Sequence, residues 1–164
     1  MSLVGTPTPS ALTVAEYLAF EKGYLHADSW LLDEPFEVGL DRGSYEPENY
    51  DHQFHGPVSA KVALASSLNI PAVRVLDLVG AEAFRDFLSC LGFQGLAGGE
   101  HYGHSLALGT ADIRLIDLVQ AYLVLANQGK WRSIRFEMDE QGRDTPRILS
   151  RKVADQISAI LSDR

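Results

Sequence analysis

The sequence predicts a mainly α-helical chain of the α+β class, with about six helices and one short β-hairpin. Apolar residues recur at helical spacing in several segments, and most of these segments end at a glycine. A single stretch near the C-terminus alternates as paired strands do. The chain has 164 residues, 46% of them hydrophobic, which is enough to bury one core.

The predicted helices begin at a capping residue or a proline. Their approximate ranges are 12–22, 60–66, 71–79, 81–91, 113–128 and 151–161. Ser10 is the predicted N-cap of the first helix and Gly23 its C-terminal stop. Ser59 is the predicted N-cap of the second helix and Gly80 the predicted stop of the third. Residues 24–54 carry clustered turn signals and are predicted to be irregular, whereas the hairpin is predicted within 131–149.

The helix over 113–128 has the clearest apolar stripe. We expect the following residues to face the core: Leu115, Ile116, Val119, Leu123 and Ala126. The single cysteine, Cys90, lies within an apolar helical pattern and is predicted to be a buried small hydrophobe.

Composition excludes some classes of partner and placement. The formal net charge is −8 and no Lys/Arg cluster offsets it, so nucleic acid is not expected to bind. No run of eighteen apolar residues is present, and residues 1–9 lack the basic and apolar parts of a signal peptide. We therefore assign 1–9 to a leader or linker.

Several ordered motifs resemble those of the penicillin-binding transpeptidases, most closely the 1C type of class A. The matching segments lie at residues 45–51, 54–58, 63–73, 102–109, 117–122 and 127–129. Residues 63–73 read Ala-Leu-Ala-Ser-Ser-Leu-Asn-Ile-Pro-Ala-Val and contain the Ser-x-Asn motif of that family. The resemblance runs from about residue 12 to 164, so residues 10–164 are assigned to a partial transpeptidase domain.

The resemblance implies a fold, a reaction and partners. The family fold, shared with serine β-lactamases, packs helices on an antiparallel sheet, and this chain would supply the helical part. The implied reaction cross-links peptidoglycan stem peptides through an acyl-serine intermediate, which β-lactams trap. The implied location of the longer protein is the periplasmic face of the inner membrane, and no cofactor or metal is implied.

The resemblance also assigns site residues. Ser67 would relay a proton to the leaving amine, and Asn69 would bind the substrate amide and the catalytic lysine. The short spacing suggests that both side chains lie on one exposed turn between helices. The alternative is that both residues merely cap the helix beginning at Pro71.

Two further family motifs are incomplete in this sequence. Ser10 could occupy the place of the nucleophile in the Ser-x-x-Lys motif, but Thr13 then stands where the lysine should be. A hydroxyl cannot act as that base at neutral pH, and no Lys-Thr-Gly occurs in the chain. We expect a segment of a larger protein that is inactive alone and self-associates through uncovered apolar surface. The competing reading is a non-catalytic domain that binds peptidoglycan or a protein.

Other constellations are weaker. His52 with His55 and His101 with His104 could hold zinc if their loops met, but the neighbouring glycines favour loops rather than ligand-bearing helices. Carboxylate pairs suited to glycoside cleavage can also be drawn, and solvation or helix capping explains them better. These pairs are Asp112 with Asp117 and Glu46 with Glu48.

Overall fold

The computed structural model describes residues 9–39, 44–96, 106, 113–134 and 146–162. Within them, the helices are α1 (Pro9–Glu21), α2 (Ala60–Ala65), α3 (Asn69–Val79), α4 (Ala81–Cys90), α5 (Leu115–Ala126) and α6 (Arg151–Ser162). The strands are β1 (Trp30–Asp33), β2 (Val38–Gly39), β3 (Ser44–Tyr45) and β4 (Gly56–Ser59). The predicted mainly helical α+β class is confirmed.

Strands β1, β2 and β3 lie in the region 24–54 that was predicted to be irregular, and β4 follows directly after it. β1 pairs with β4, so that Asp33 lies opposite Gly56, and β2 pairs with β3. Where the hairpin was predicted, the described residues form only one isolated bridge, between Lys130 and Arg147. Its turn, residues 135–145, lies outside the described part. Short strands far apart in sequence leave little periodicity, because their pairing depends on the partner strand.

Helix α1 lies at the centre of the core. It packs most extensively against α3 and also contacts α2, α4 and α6. All its residues from Val14 to Phe20 are buried, as expected for a helix surrounded by others. α1 begins at Pro9 and Ser10 is its second residue, so the predicted N-cap is wrong. Proline suits the first helical position because its φ is already helical and its missing N–H has no helical acceptor there.

Helix α5 presents to solvent the face predicted to be core. Leu115 is 75% exposed and Val119 44%, and Ile116 and Ala126 are exposed as well. The buried residues are instead Asp117, Gln120, Ala121, Val124 and Leu125. The predicted stripe is therefore wrong for this helix.

Polar partners explain how the other face of α5 can be buried. Asp117 forms a two-pronged ion pair with Arg114, at 2.7 and 2.8 Å. The Gln120 side chain donates to the carbonyl of Arg132 and accepts from the backbone N–H of Ile134. Because their hydrogen bonds are satisfied, burial of these groups costs little. An apolar helix with two such residues can then bury either face.

Cys90 is exposed, so its predicted burial is wrong. It is the last residue of α4, whose buried face is formed by Phe84, Phe87 and Leu88. No helix within the described ranges has the length and apolar character needed to cross a membrane.

Glu16 is a buried carboxyl within the core. It is 1% exposed, and its Oε2 has no hydrogen-bond partner among the described residues. Burial raises the pKa of Glu16 well above its usual range, because the charged form would lose its hydration. The fold therefore favours the protonated, neutral acid in the middle of α1.

We expect Glu16→Met to raise the free energy of unfolding by roughly 1–3 kcal/mol near neutral pH, since it removes an unsatisfied buried group. The wild-type contribution is fully present below the usual pKa of 4.5 and is lost as the pH rises toward the raised folded value. The advantage of Glu16→Met should therefore grow with pH. Urea unfolding at a series of pH values measures it.

Glu37→Gln is the control, because it removes an exposed glutamate and reports the effect of losing one surface charge. A constant or shrinking advantage of Glu16→Met with rising pH would contradict the neutral form of Glu16.

Candidate active-site turn

The Ser-x-Asn motif lies at the turn between α2 and α3. Helix α2 ends at Ala65, and the turn is closed by backbone bonds from Ser67 to Leu64 and from Leu68 to Ala63. Ser67 is half-buried and has a φ of +53°, in the left-handed region that non-glycine residues rarely adopt. Such strain often marks functional positions.

Asn69 differs from the sequence-based expectation of an exposed turn. It is the first residue of α3 and only 7% exposed. Its Nδ2 donates to the backbone carbonyl of Glu48 at 2.7 Å. Its Oδ1 is buried and accepts no hydrogen bond from any described residue. Asn69 therefore has a buried carbonyl oxygen that no described residue satisfies.

The first turn of α3 is capped by a distant side chain. The Oδ1 of Asn49 accepts from the backbone N–H of Asn69 at 2.9 Å and from that of Ile70 at 3.4 Å. The N-cap residue itself, Leu68, makes no side-chain cap. The N–H groups of Asn69 and Ile70 are thus capped by Asn49, which lies twenty positions before Asn69 in the sequence.

Asn49 is in turn held by the end of β1. Its Nδ2 lies 2.8 Å from each carboxylate oxygen of Asp33 and also donates to the carbonyl of Gln53 at 2.8 Å. His55 contacts the same carboxylate through its backbone N–H at 3.0 Å and its Nδ1 at 2.7 Å. Asp33 is 0% exposed and Asn49 3%, so this is a buried polar network.

Sequence reasoning missed Asp33 and Asn49 as parts of the site. Asn49 lies within the matched segment 45–51, but nothing local indicates that it reaches residues twenty positions later. Asp33 ends a strand that was not predicted. An asparagine in a loop, with no helix of its own to cap, is the signal that could have suggested a distant partner.

The described histidines that were considered as zinc ligands have other partners. His52 Nδ1 lies 2.8 Å from Glu48, and His55 Nε2 lies 3.3 Å from Asp51. His101 and His104 lie outside the described residues. Within the described part, no group of three ligand-type side chains is placed to hold a metal ion.

The proposed carboxylate pairs also separate. Asp117 is bound to Arg114, and Asp112 lies outside the described residues. Glu46 is exposed, and Glu48 is occupied with His52. Asp117 and Glu48 are thus engaged with other side chains in the described part of the chain.

Ser10 and the Ser-x-Asn turn are carried by neighbouring helices. Ser10 lies in the first turn of α1, and α1 packs against α3, which begins with Asn69. The matched segment 102–109 lies outside the described residues except for Leu106, which is buried. The described geometry thus offers one hydroxyl and one carboxamide at a turn beside the central helix.

Comparison with known proteins gives consistent results. A sequence model of the penicillin binding protein transpeptidase domain matches residues 13–163. Penicillin-binding protein 1C of Escherichia coli is 37% identical over 147 residues, which cover 89% of this chain and 18% of that protein. The chain thus spans less than a fifth of the length of this relative.

Solved structures share the fold at low identity. The crystal structure of penicillin-binding protein 1A from Haemophilus influenzae superposes with a TM-score of 0.79 and 22% identity, over 93% of this chain and 29% of that one. The transpeptidase domain of penicillin-binding protein 3 from Burkholderia pseudomallei gives a TM-score of 0.77 and 15% identity, over 94% of this chain and 52% of that one. Because the domain model matches residues 13–163, the chain belongs to the penicillin-binding protein transpeptidase domain family.

Proposed function

We propose that the chain forms the Ser-x-Asn wall of a D,D-transpeptidase site that cross-links peptidoglycan stem peptides. The Oδ1 of Asn69 carries this proposal, because it is buried and accepts no hydrogen bond from the described part of the chain, and buried acceptors without a donor are rare in folded proteins. A lysine ammonium or a substrate amide N–H would satisfy it. Ser67, on the strained turn beside it, is the proposed proton relay.

The chemistry requires groups beyond this wall. In acyl transfer the serine oxygen attacks the carbonyl of the stem peptide, and its proton must pass to the leaving amine of the terminal D-alanine. A second amine or water then releases the acyl group, and a β-lactam traps the same serine. Ser10 stands at the proposed nucleophile position, but Thr13 cannot replace the lysine base. The chain alone is therefore proposed to be inactive.

The proposal extends to the longer protein suggested by the relatives. It would act on stem peptides, react with β-lactams and lie at the periplasmic face of the inner membrane, with residues 10–164 as part of its transpeptidase domain. A second candidate is a non-catalytic domain that binds peptidoglycan or a protein. Thr13 at the expected lysine position is the observation that favours it.

The exposed face of α5 supports one further part of the proposal. Leu115, Ile116 and Val119 form a continuous apolar surface on one side of the helix. In the family fold a sheet packs on the helices, and we propose that this face meets it. In the chain alone, the same face would drive self-association.

The site assignment can be tested in a chimera. Residues 14–162 are inserted between the Ser-x-x-Lys segment and the Lys-Thr-Gly strand of a family member that has both motifs. We expect a fluorescent penicillin to label the chimera, and Ser67→Ala and Asn69→Ala each to lower the acylation rate by about 100-fold or more. The natural chain should remain unlabelled.

Ser66→Ala is the matched control, because Ser66 is an exposed serine of the same turn. A folded chimera that acylates equally fast with Ser67→Ala and Asn69→Ala would sink the assignment. Labelling of the natural chain at Ser10 would contradict the argument from Thr13. Stem-peptide binding by the natural chain without acylation of the chimera would favour the non-catalytic candidate.

The strain at Ser67 predicts that glycine is more stable than alanine at this position, the reverse of the usual order. Both substitutions remove the hydroxyl, but glycine adopts a φ of +53° freely, so Ser67→Gly should be more stable than Ser67→Ala by about 1 kcal/mol. At Ser66, whose φ is −89°, alanine should be the more stable. Urea unfolding of the four variants measures both differences, and the same sign at both positions would refute the strain.

Self-association is measured by light scattering. We expect the natural chain to have an average mass above its monomer mass of 18.0 kDa. Leu115→Lys should restore the monomer by placing a charge on the α5 face. The control Leu78→Lys changes an exposed leucine of α3, outside that face, and should leave the mass unchanged. A monomeric natural chain would contradict this part of the proposal.

A further inference from the structure

We infer that Asp33 and Asn49 are positioning residues for Asn69, an inference that rests on the proposed role of Asn69 in acyl transfer. Neither residue belongs to the Ser-x-Asn motif, and Asp33 lies thirty-six positions before Asn69. They act through a buried chain of hydrogen bonds from the end of β1 to the first turn of α3.

The Asn49 carboxamide has only one chemically acceptable orientation. Its nitrogen faces three acceptor oxygens, two of Asp33 and one of Gln53, while its oxygen faces the N–H groups of Asn69 and Ile70. Rotation of the amide by half a turn would place oxygen against oxygen and N–H against N–H. Each buried mismatch would cost the desolvation of both groups. The hydrogen bonds therefore fix the direction of Oδ1 of Asn49.

Asp33 supplies the strength of this anchor. Its carboxylate is fully buried, and hydrogen bonds to an ionised acceptor are stronger than those between neutral groups. A buried carboxylate is tolerated only when it is well satisfied. The N–H of His55, its Nδ1 and the Asn49 amide provide that satisfaction. The segment from Asn49 to His55 is consequently tied to the end of β1.

This network fixes both the backbone and the side-chain carboxamide of Asn69. Asn49 holds its backbone N–H, and the carbonyl of the preceding residue, Glu48, holds its side-chain Nδ2 at 2.7 Å. The adjacent residues Glu48 and Asn49 thus hydrogen-bond to the carboxamide and the backbone of Asn69, respectively. These two hydrogen bonds set the direction of the Asn69 Oδ1, which accepts no hydrogen bond from a described residue. Preorganisation of this kind is what a residue that binds substrate requires.

The first experiment uses the natural chain and needs no activity. Hydrogen exchange by NMR compares the backbone amides of Asn69 and Ile70 in wild type and Asn49→Ala. We expect both amides to lose protection, while the amide of Phe84, which bonds to Gly80 in a separate helix turn, keeps it. Unchanged protection at Asn69 and Ile70 would overturn the inference.

An exchange of the two side chains guards against simple misfolding. Asn49→Asp alone places two carboxylates against each other, whereas the pair Asp33→Asn with Asn49→Asp restores a donor opposite an acceptor. The double variant should regain part of the protection at Asn69 that the single variant loses. The Gln53 carbonyl faces a carboxylate oxygen in both variants, so its effect cancels in this comparison. Equal loss in both variants would contradict a specific contact between residues 33 and 49.

The second experiment uses the chimera to separate positioning from a structural role. Asn49→Ala should slow acylation up to about 100-fold, as expected when a reacting group is misplaced. Asn49→Ala together with Asn69→Ala should be no slower than Asn69→Ala alone, within about twofold. A merely structural role would multiply the two effects, and that result would refute the inference.

The failures of the two proposals are distinguishable. If Asn69→Ala leaves acylation unchanged, the proposed function of Asn69 fails, and with it the role of Asn49 in the reaction. Exchange measurements on the natural chain still report whether Asp33 and Asn49 hold α3. If Asn69→Ala slows acylation of the chimera and Asn49→Ala does not, only the positioning inference fails.

Discussion

The side-chain amide of Asn49 is the contact on which the geometry of the candidate site depends. It joins the buried carboxylate of Asp33, at the end of β1, to the first two N–H groups of α3. These elements share no local sequence, and this amide links the Asp33 carboxylate directly to the α3 N–H groups. Apolar packing is not directional, whereas the amide requires donors on one side and acceptors on the other.

The core is built around α1, which contacts α2, α3, α4 and α6. This helix is enclosed so completely that Glu16 is buried, and burial raises the pKa of its carboxyl so that the neutral acid is favoured. Helix α5, in contrast, has an apolar face that nothing in the described residues covers. The same chain therefore combines a closed core with a surface suited to contact, as a part of a larger domain would.

Much of the helical layout could be predicted from local signals. Gly23 and Gly80 were predicted to stop helices, and both have positive φ values that other residues adopt poorly. The Ser59 cap of α2 is also confirmed, since its hydroxyl accepts from the N–H of Val62. These features depend on residues within one helical turn, where the physical interaction and the sequence pattern coincide.

The features that the sequence analysis predicted wrongly or missed have a common cause. The exposed face of α5, the pairing of β1 with β4 and the capping of α3 by Asn49 all involve partners distant in sequence. Periodicity reports that a helix is apolar but not which side meets a neighbour, and a capping preference does not name the helix served. Local propensity could therefore reveal most of the helices and the break between α2 and α3, whereas the Ser-x-Asn motif at that break was identified by its resemblance to the family. Only long-range packing and hydrogen bonding could establish that Asn69 is buried and hydrogen-bonded to Glu48 and Asn49, with an Oδ1 that no described residue satisfies.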